Sequence, residues 1–333
     1  MVVPVRNGSR TLGSCLEALR EAGDDTVEII VVDDDSDDES PQIAERYADR
    51  TIRLKSCAGA ASARNVGAES SGGDIIVFVD SDVIVPETAF ENLRKSFRSL
   101  DSPDAVQGIY ALHCPYENAA SQYKNIYYHF IWTHLVKDPW LNSAASFFLA
   151  VRRSVFQKIG GFDPRIVMPT VEDAEWGHRF VHEGYRILQN REIEVVHVRK
   201  YTLLGLVRYD FKLASAKVKF LLRRVLHCND RSVFHFGSGF AVSTARAADM
   251  IPWLMSLVML PMSLFLLLFG RILYCLVFLI ISLALQIPFF RFVMRKMGMR
   301  TAGKMISIML MDMVAIDAGI GYGVLSFAAG KRY

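Results

Sequence analysis

The chain has 333 residues, 51% of them apolar, and a net charge of +3, which excludes a disordered or collagen-like protein and leaves room for one large domain or two smaller ones. The charge is uneven: residues 191–333 carry 19 Lys and Arg against 7 Asp and Glu, a net +12, leaving −9 on residues 1–190. No nucleic-acid motif accompanies the basic half, so its partner is expected to be a membrane surface rather than RNA or DNA. Cys15, Cys57, Cys114, Cys228 and Cys275 are scattered, odd in number and without a CxxC pair, which argues against a disulfide framework or a zinc site and fits reduced thiols.

The opening "MVVPVRNGSRTL" has no long apolar stretch of the secretory kind, so the first domain is expected to face the cytosol. Residues 2–5 are a short apolar run closed by Asn7 and Gly8, and Leu12, Leu16 and Leu19 follow at helical spacing: strand, turn, helix. The β-branched run "VEIIVV", residues 27–32, has the character of a parallel strand buried on both faces, and it ends in "DDDSDDES". A helix over 41–48, a short strand over 51–54, a Gly/Ala loop, a helix over 61–70 and a strand over 74–79 complete the alternation. Strands alternating with helices predict an open α/β sheet whose ligand site lies along the C-terminal ends of its strands.

Two acid clusters sit at those ends. In "VFVDSDVIV" successive side chains alternate faces, so Asp80 and Asp82 point the same way and Ser81 the other. Paired carboxylates repel unless a cation lies between them, and hard oxygen donors suit Mg²⁺ or Mn²⁺; a solvated turn is the plainer alternative. Asp33, Asp34 and Asp35 end the neighbouring strand, either as a solvated turn with Asp37, Asp38 and Glu39 or as acceptors for a base or ribose. Between them "GAASARNVGAESSGG" offers small residues and one cation, Arg64, for a phosphate or base.

Glu172 and Asp173 precede a helix whose Trp176, Phe180 and Val181 are spaced as an apolar face, which places both acids at its positive N-terminus; acids also start many ordinary helices. His197 closes the strand run in "IEVVHV", and taken alone such a histidine is more often a satisfied core residue than a ligand. Over 201–226, Leu203, Leu204, Val207, Phe211, Ala214, Val218, Leu221, Leu222 and Val225 form an apolar stripe edged by Arg208, Lys212, Lys219 and Arg223, as in a helix lying in a headgroup layer or covering a core.

Beyond residue 250 the sequence changes character. Residues 251–269 and 272–290 are uncharged runs separated by Gly270 and Arg271, each roughly 28 Å long as a helix, and they predict a membrane hairpin. Residues 305–327 form a third run, interrupted by Asp312, Asp317 and several glycines, which reads as a weaker span or a helix packed on the hairpin. Arg291, Arg295, Lys296, Arg300 and Lys304 between the second and third runs place that loop, and with it residues 1–250, on the cytosolic side.

The succession P-V-x-N, "VVDDDSDDES", "ARNVGAESSGGDIIVFVDSD", "AVRRSVFQKIGGFD", "EDAEWGHRFVHEGYRI" and then a histidine, over about residues 3–197, resembles the family 2 glycosyltransferases of the GT-A fold. The resemblance implies a Rossmann-like mixed sheet flanked by helices, followed by C-terminal transmembrane helices. Its domains would be a transferase domain at 1–198, an interfacial region at 199–248 and a membrane hairpin plus third helix at 249–333. It implies a non-processive, inverting, metal-dependent enzyme of hexosyltransferase type, since no Q-x-x-R-W follows Asp173. The donor would be a UDP-sugar, or a GDP-sugar, and the acceptor a lipid-linked or glycolipid molecule of cell-envelope synthesis. The chain would be a multi-pass protein of the cell membrane with its catalytic domain in the cytoplasm.

By the same resemblance Asp173 is the catalytic base, and Asp80, Asp82 and His197 hold Mn²⁺ or Mg²⁺. Pro4, Asn7, Asp34, Arg64, Asp80 and Ser81 bind the nucleotide, and Gly161, Asp163 and Glu172 the substrate. Gly160 and Phe162 belong to the same loop. Asp35 stands where the family often has Gly, and "SAASFF" replaces its Gly-rich approach to the acceptor. Two other readings compete. One is an inactive membrane scaffold that keeps a nucleotide-binding transferase-like domain. The other is a nucleotidyltransferase, for which "PVRNGSRTL" is a poor triphosphate loop.

Overall fold

The computed structural model describes residues 1–166, 171–227, 258, 261–262, 265 and 268–331. They divide into two compact units, one of residues 1–115 with 138–199 and one of residues 116–137 with 200–333.

The first unit is built on a nine-stranded mixed sheet. Its parallel half is β3 (Arg50–Arg53), β2 (Ile30–Asp33), β1 (Val2–Val5) and β4 (Ile75–Val79), in that order. Val2–Val5 and Ile30–Asp33 are buried throughout, which is why Val and Ile dominate them. The helices α1 (Ser9–Ala22), α2 (Ser40–Tyr47) and α3 (Ala60–Ser70) connect these strands. Because the strands run parallel, the ends of β1, β2 and β4 open on one edge. β5 (Val83–Ile84) follows the D-S-D directly, and α4 (Ala89–Arg98) leads back to the sheet.

The other half reverses direction. β8 (Phe148–Arg152) pairs antiparallel with β4 and with β6 (Ala105–Tyr110), which pairs parallel with β9 (Ile187–His197). β5 and the short β7 (Trp140–Leu141) both pair antiparallel with β9. The β5 pairing sets Val83 opposite His197, and the Val198 N–H donates to the Asp82 carbonyl at 2.8 Å. A histidine 115 positions along the chain is thus delivered beside the D-S-D. The helices α6 (Arg153–Ile159) and α7 (Glu172–His182) pack around an aromatic core in which Phe162 and Trp176 rings lie 5.6 Å apart and Trp176 and Phe180 rings 4.7 Å apart.

The second unit is helical among its described residues: α5 (Ala119–Phe130) with a π-helical extension Ile131–Leu135, α8 (Leu203–His227), α9 (Ile272–Ala284), α10 (Ile287–Met297) and α11 (Met299–Ala328). α11 packs along α8 through small residues. A Cβ at Gly319 would lie 2.3 Å from the Phe211 carbonyl oxygen, and one at Gly323 would lie 2.2 Å from a Val218 methyl. Ala214 and Val218 of the expected interfacial stripe are therefore buried, whereas Leu203 and Leu204 are exposed. Buried polar groups tie α5 to the same helices: Lys124 pairs with Asp210, and the Tyr123 hydroxyl donates to Asp312 at 2.9 Å.

α11 is the one described helix long and apolar enough by itself to cross a membrane. The sequence rated this run the weaker span, because Asp312 interrupts it; the structure turns Asp312 inward to Tyr123. The expected second span does not continue straight. α9 and α10 are bent by 51° and reach a membrane-spanning length only as a pair, with a Pro at the start of α10 removing one helical N–H. Residues 228–248 of the expected interfacial region and most of the expected first span, 251–269, lie outside the described residues.

Candidate active site

Along the parallel edge the acids after β2 are absorbed by backbone. Asp34 accepts the Ala58 N–H at 2.6 Å and the Gly59 N–H at 2.9 Å, which draws the loop before α3 against β2. Asp38 accepts the Ser9 N–H at 2.9 Å and the Ser40 N–H at 3.0 Å, and the Ser40 hydroxyl in turn accepts the Gly8 N–H at 2.9 Å. Burial works to raise the Asp38 carboxyl; hydrogen bonds from Ser40 and Ser9 outweigh it and hold the group at about 2. The Asn7 N–H donates to the Ser36 hydroxyl at 2.9 Å, and the Asn7 side chain accepts the Asp37 N–H at 2.8 Å. The β1 and β2 loops form one hydrogen-bonded rim. Asp35 sits within it at φ 62°, which explains why the resemblance puts Gly there and why Asp, tolerant of that region, replaces it. Pro4 is buried within β1, and the Ser81 side chain lies against Gly8.

The acids after β4 face side chains instead. Asp80 Oδ1 accepts Arg64 Nη2 at 2.8 Å, and Arg64 Nη1 reaches Glu172 Oε1 at 2.8 Å. Asp82 Oδ2 lies 3.5 Å from His197 Nε2, and the His197 ring packs against Tyr110, which stacks on Phe147 at 3.9 Å. Burial pushes the Asp80 carboxyl up, and the neighbouring Asp82 and Asp173 add to this, although Arg64 opposes it. For Asp82 burial is outweighed by His197 and Arg199, and the carboxyl is held down.

Asp173 takes another direction. Its Oδ2 accepts the Ser146 N–H at 3.0 Å and the Ser146 hydroxyl at 3.4 Å, while Oδ1 accepts the Ala174 N–H at 2.7 Å. The contact depends on Gly177, one turn on, where a Cβ would lie 2.1 Å from the Ala144 nitrogen; only a bare backbone lets α7 press on the 143–146 segment. The loop after α6 is pinned by Asn65, whose side chain accepts the Phe162 N–H at 2.9 Å and donates to the Phe162 carbonyl at 2.8 Å, with Gly161 packed on it. Asp163 is engaged by Arg165 at 2.8 Å.

The structure therefore brings Arg64, Asp80, Asp82, Glu172, Asp173 and His197 into one region of the first unit. Arg64 is 4% exposed and held between two carboxylates, and Glu172 is 3% exposed on that arginine. Ser146 and Asn65 escaped sequence reasoning. Neither motif nor periodicity links Ser146 to a residue 27 positions later or Asn65 to one 97 later.

Among the described residues no three His, Cys, Asp or Glu side chains already converge as a metal-ligating group. The donor chemistry nevertheless fits a divalent cation. Two carboxylates and an imidazole adjoin, and the Asp80 side chain is 32% exposed. Mg²⁺ and Mn²⁺ take such partial protein shells and complete them with phosphate oxygens and water.

A mixed α/β sheet of this kind, with flanking helices and acids on the edge of its parallel half, is of GT-A type. The mannosyltransferase PcManGT from Pyrobaculum calidifontis, solved in complex with GDP-Man and Mn²⁺, shares it: TM-score 0.55 over 93% of this chain and 85% of that one, at 18% identity. Residues 1–160, just under half of the chain, match the family model described as Glycosyl transferase family 2. EpsH of Bacillus subtilis, a protein named as a glycosyltransferase, is 42% identical over 99 residues, 28% of this chain and 29% of EpsH. The O-antigen chain rhamnosyltransferase WbaN of Salmonella anatum is 25% identical over 219 residues, 61% of this chain and 66% of WbaN. The chain thus spans less than a third of the first relative and just under two thirds of the second.

Proposed function

We propose that this chain is an inverting glycosyltransferase that moves a sugar from a nucleotide-sugar donor to a lipid-linked acceptor at the cytosolic face of a membrane. The observation that carries it is the buried Arg64, which joins Asp80, on the donor side in this reading, to Glu172 beside Asp173, on the acceptor side. In this reading Asp173 takes the proton of the acceptor hydroxyl, with Ser146 orienting its carboxylate. The acceptor oxygen then bonds to the anomeric carbon as the bond to the diphosphate breaks on the opposite face. The electron pair leaves with the nucleoside diphosphate, and the configuration inverts.

A divalent cation held by Asp80, Asp82 and His197 supplies neutralisation of the diphosphate when bound. Asp34, Asn7, Pro4 and Ser81 frame the nucleoside, and Gly161 and Asp163 the sugar. UDP is the first choice of nucleotide; the GDP-Man of the similar structure keeps GDP as the second. A membrane acceptor is supported by α11, by the exposed Arg291, Arg295, Lys296, Arg300 and Lys304, and by the O-antigen named for WbaN.

The test is a panel of labelled UDP- and GDP-sugars given to native membranes containing the chain. Label is expected in the lipid fraction, lost in EDTA and restored by Mn²⁺ or Mg²⁺. Transfer that persists in chelator would remove the metal from the reading, and label confined to water-soluble product would remove the lipid acceptor.

A further inference from the structure

The adjacent acids at the start of α7 part company. Asp173 is held by the 143–146 segment, whereas Glu172 turns inward and accepts Arg64 Nη1 at 2.8 Å. The other arm of the guanidinium donates to Asp80 Oδ1 at 2.8 Å, and the Phe162 ring lies under its carbon at 5.7 Å. Arg64 Nε has no partner and is fully enclosed, so the two terminal nitrogens carry the pairing. A planar fork on an aromatic face fixes the separation and tilt of both carboxylates; a lysine ammonium in the same place would not. Residues 64, 80 and 172 come from α3, the turn after β4, and α7, so nothing local in the chain sets their mutual geometry.

We infer that Glu172 is a positioning residue for the metal side of the site: it anchors Arg64, and Arg64 sets the orientation in which Asp80 meets a divalent cation. The inference rests on Asp80 and Asp82 being cation ligands, and it replaces the sequence-derived role of Glu172 as a substrate contact. With Glu172 charged, the guanidinium is shared, and Asp80 gives it only one oxygen. Once the Glu172 charge is removed, Arg64 closes on Asp80 with both arms and competes with the cation for the same carboxylate.

Mn²⁺ binding to the purified full chain, read from the electron paramagnetic resonance signal of the free ion with UDP or GDP present, tests this without turnover. Glu172→Gln is expected to weaken Mn²⁺ binding about tenfold, in the range seen when a ligand's supporting partner is lost. Arg64→Met is the second background. If Glu172 acts through Arg64, adding Glu172→Gln to Arg64→Met changes Mn²⁺ affinity by less than about twofold, because coupled residues do not add. Equal losses in both backgrounds would put Glu172 on the ligand itself and overturn the inference, as would wild-type affinity in Glu172→Gln. Asp82→Asn separates the two levels: unaltered Mn²⁺ binding there removes the metal reading and the inference with it. A loss in Asp82→Asn beside an unchanged Glu172→Gln sinks the inference alone.

Discussion

Asp34 and Asp38, after β2, spend their carboxylates on backbone N–H groups of Ala58, Gly59, Ser9 and Ser40, while Asp80 and Asp82, after β4, face the side chains of Arg64 and His197. Both clusters close an apolar strand on the same sheet edge, and in sequence they look interchangeable. Their partners separate them. A backbone N–H is part of the chain and stays, so the carboxylate it satisfies builds a loop. A side-chain partner takes only part of the carboxylate: Arg64 holds Asp80 through Oδ1, and His197 faces Asp82 through Oδ2. The β2 acids shape the rim, the β4 acids keep side-chain partners, and α7 has one of each kind, with Asp173 on backbone N–H groups and Glu172 on Arg64.

The sharpest break in that comparison is Asp173→Asn. With the base gone, transfer should fall by roughly 10²–10⁴-fold while nucleotide binding, measured by calorimetry, stays as in wild type. Wild-type turnover would take the base away from α7. Next comes His197→Ala, which removes the imidazole beside Asp82 and should weaken Mn²⁺ binding by about 10–100-fold in a metal titration; unchanged affinity would return His197 to the core.

Gly323→Val probes the packing of α11 on α8 instead. A side chain there meets Val218 and the Ser215 carbonyl, and overpacking of this kind costs about 1–3 kcal/mol, read as a lower melting temperature with Mn²⁺ affinity intact. The smallest effect is expected at the rim. Asp38→Ala removes the carboxylate at the start of α2 and should cost about 1 kcal/mol at pH 7. Because folding depresses the Asp38 carboxyl from 3.8 to about 2, its contribution is present above pH 4 and is lost as pH falls toward 2. The gap between wild type and variant should therefore close on acidification; a gap that stays constant with pH would mean that Asp38 is not acting as a carboxylate.

Much of the first unit was legible in the residues. The apolar runs at 2–5, 27–32 and 74–79 mark β1, β2 and β4, and acids at strand ends mark the edge that carries the site. The helical unit was less so. The break between α9 and α10 sits inside an uncharged run with only Pro288 to announce it, and the inward turn of Asp312 depends on Tyr123, 189 positions away. The stripe on α8 was visible, but its partner was not, since Gly319 and Gly323 become a packing surface only once α11 lies against Phe211, Ser215 and Val218.

What the sequence determined by itself was local: which runs are strands, that Glu172 and Asp173 begin a helix, and which ordered motifs resemble family 2 glycosyltransferases. These follow from alternation, periodicity and motif order over tens of residues. The strand alternation expected to set Asp80 and Asp82 on one face stops at Val79, because Ser81 and Asp82 form a turn in which the Val83 N–H donates to the Asp80 carbonyl at 3.1 Å. Tertiary structure alone decided how the acids are used. It set Asp34 on backbone, Asp82 beside His197, Asp173 on Ser146, and Arg64 between Asp80 and Glu172. The partner of a buried charge comes from whichever element the fold sets beside it, and for Glu172 that element lies 108 residues away.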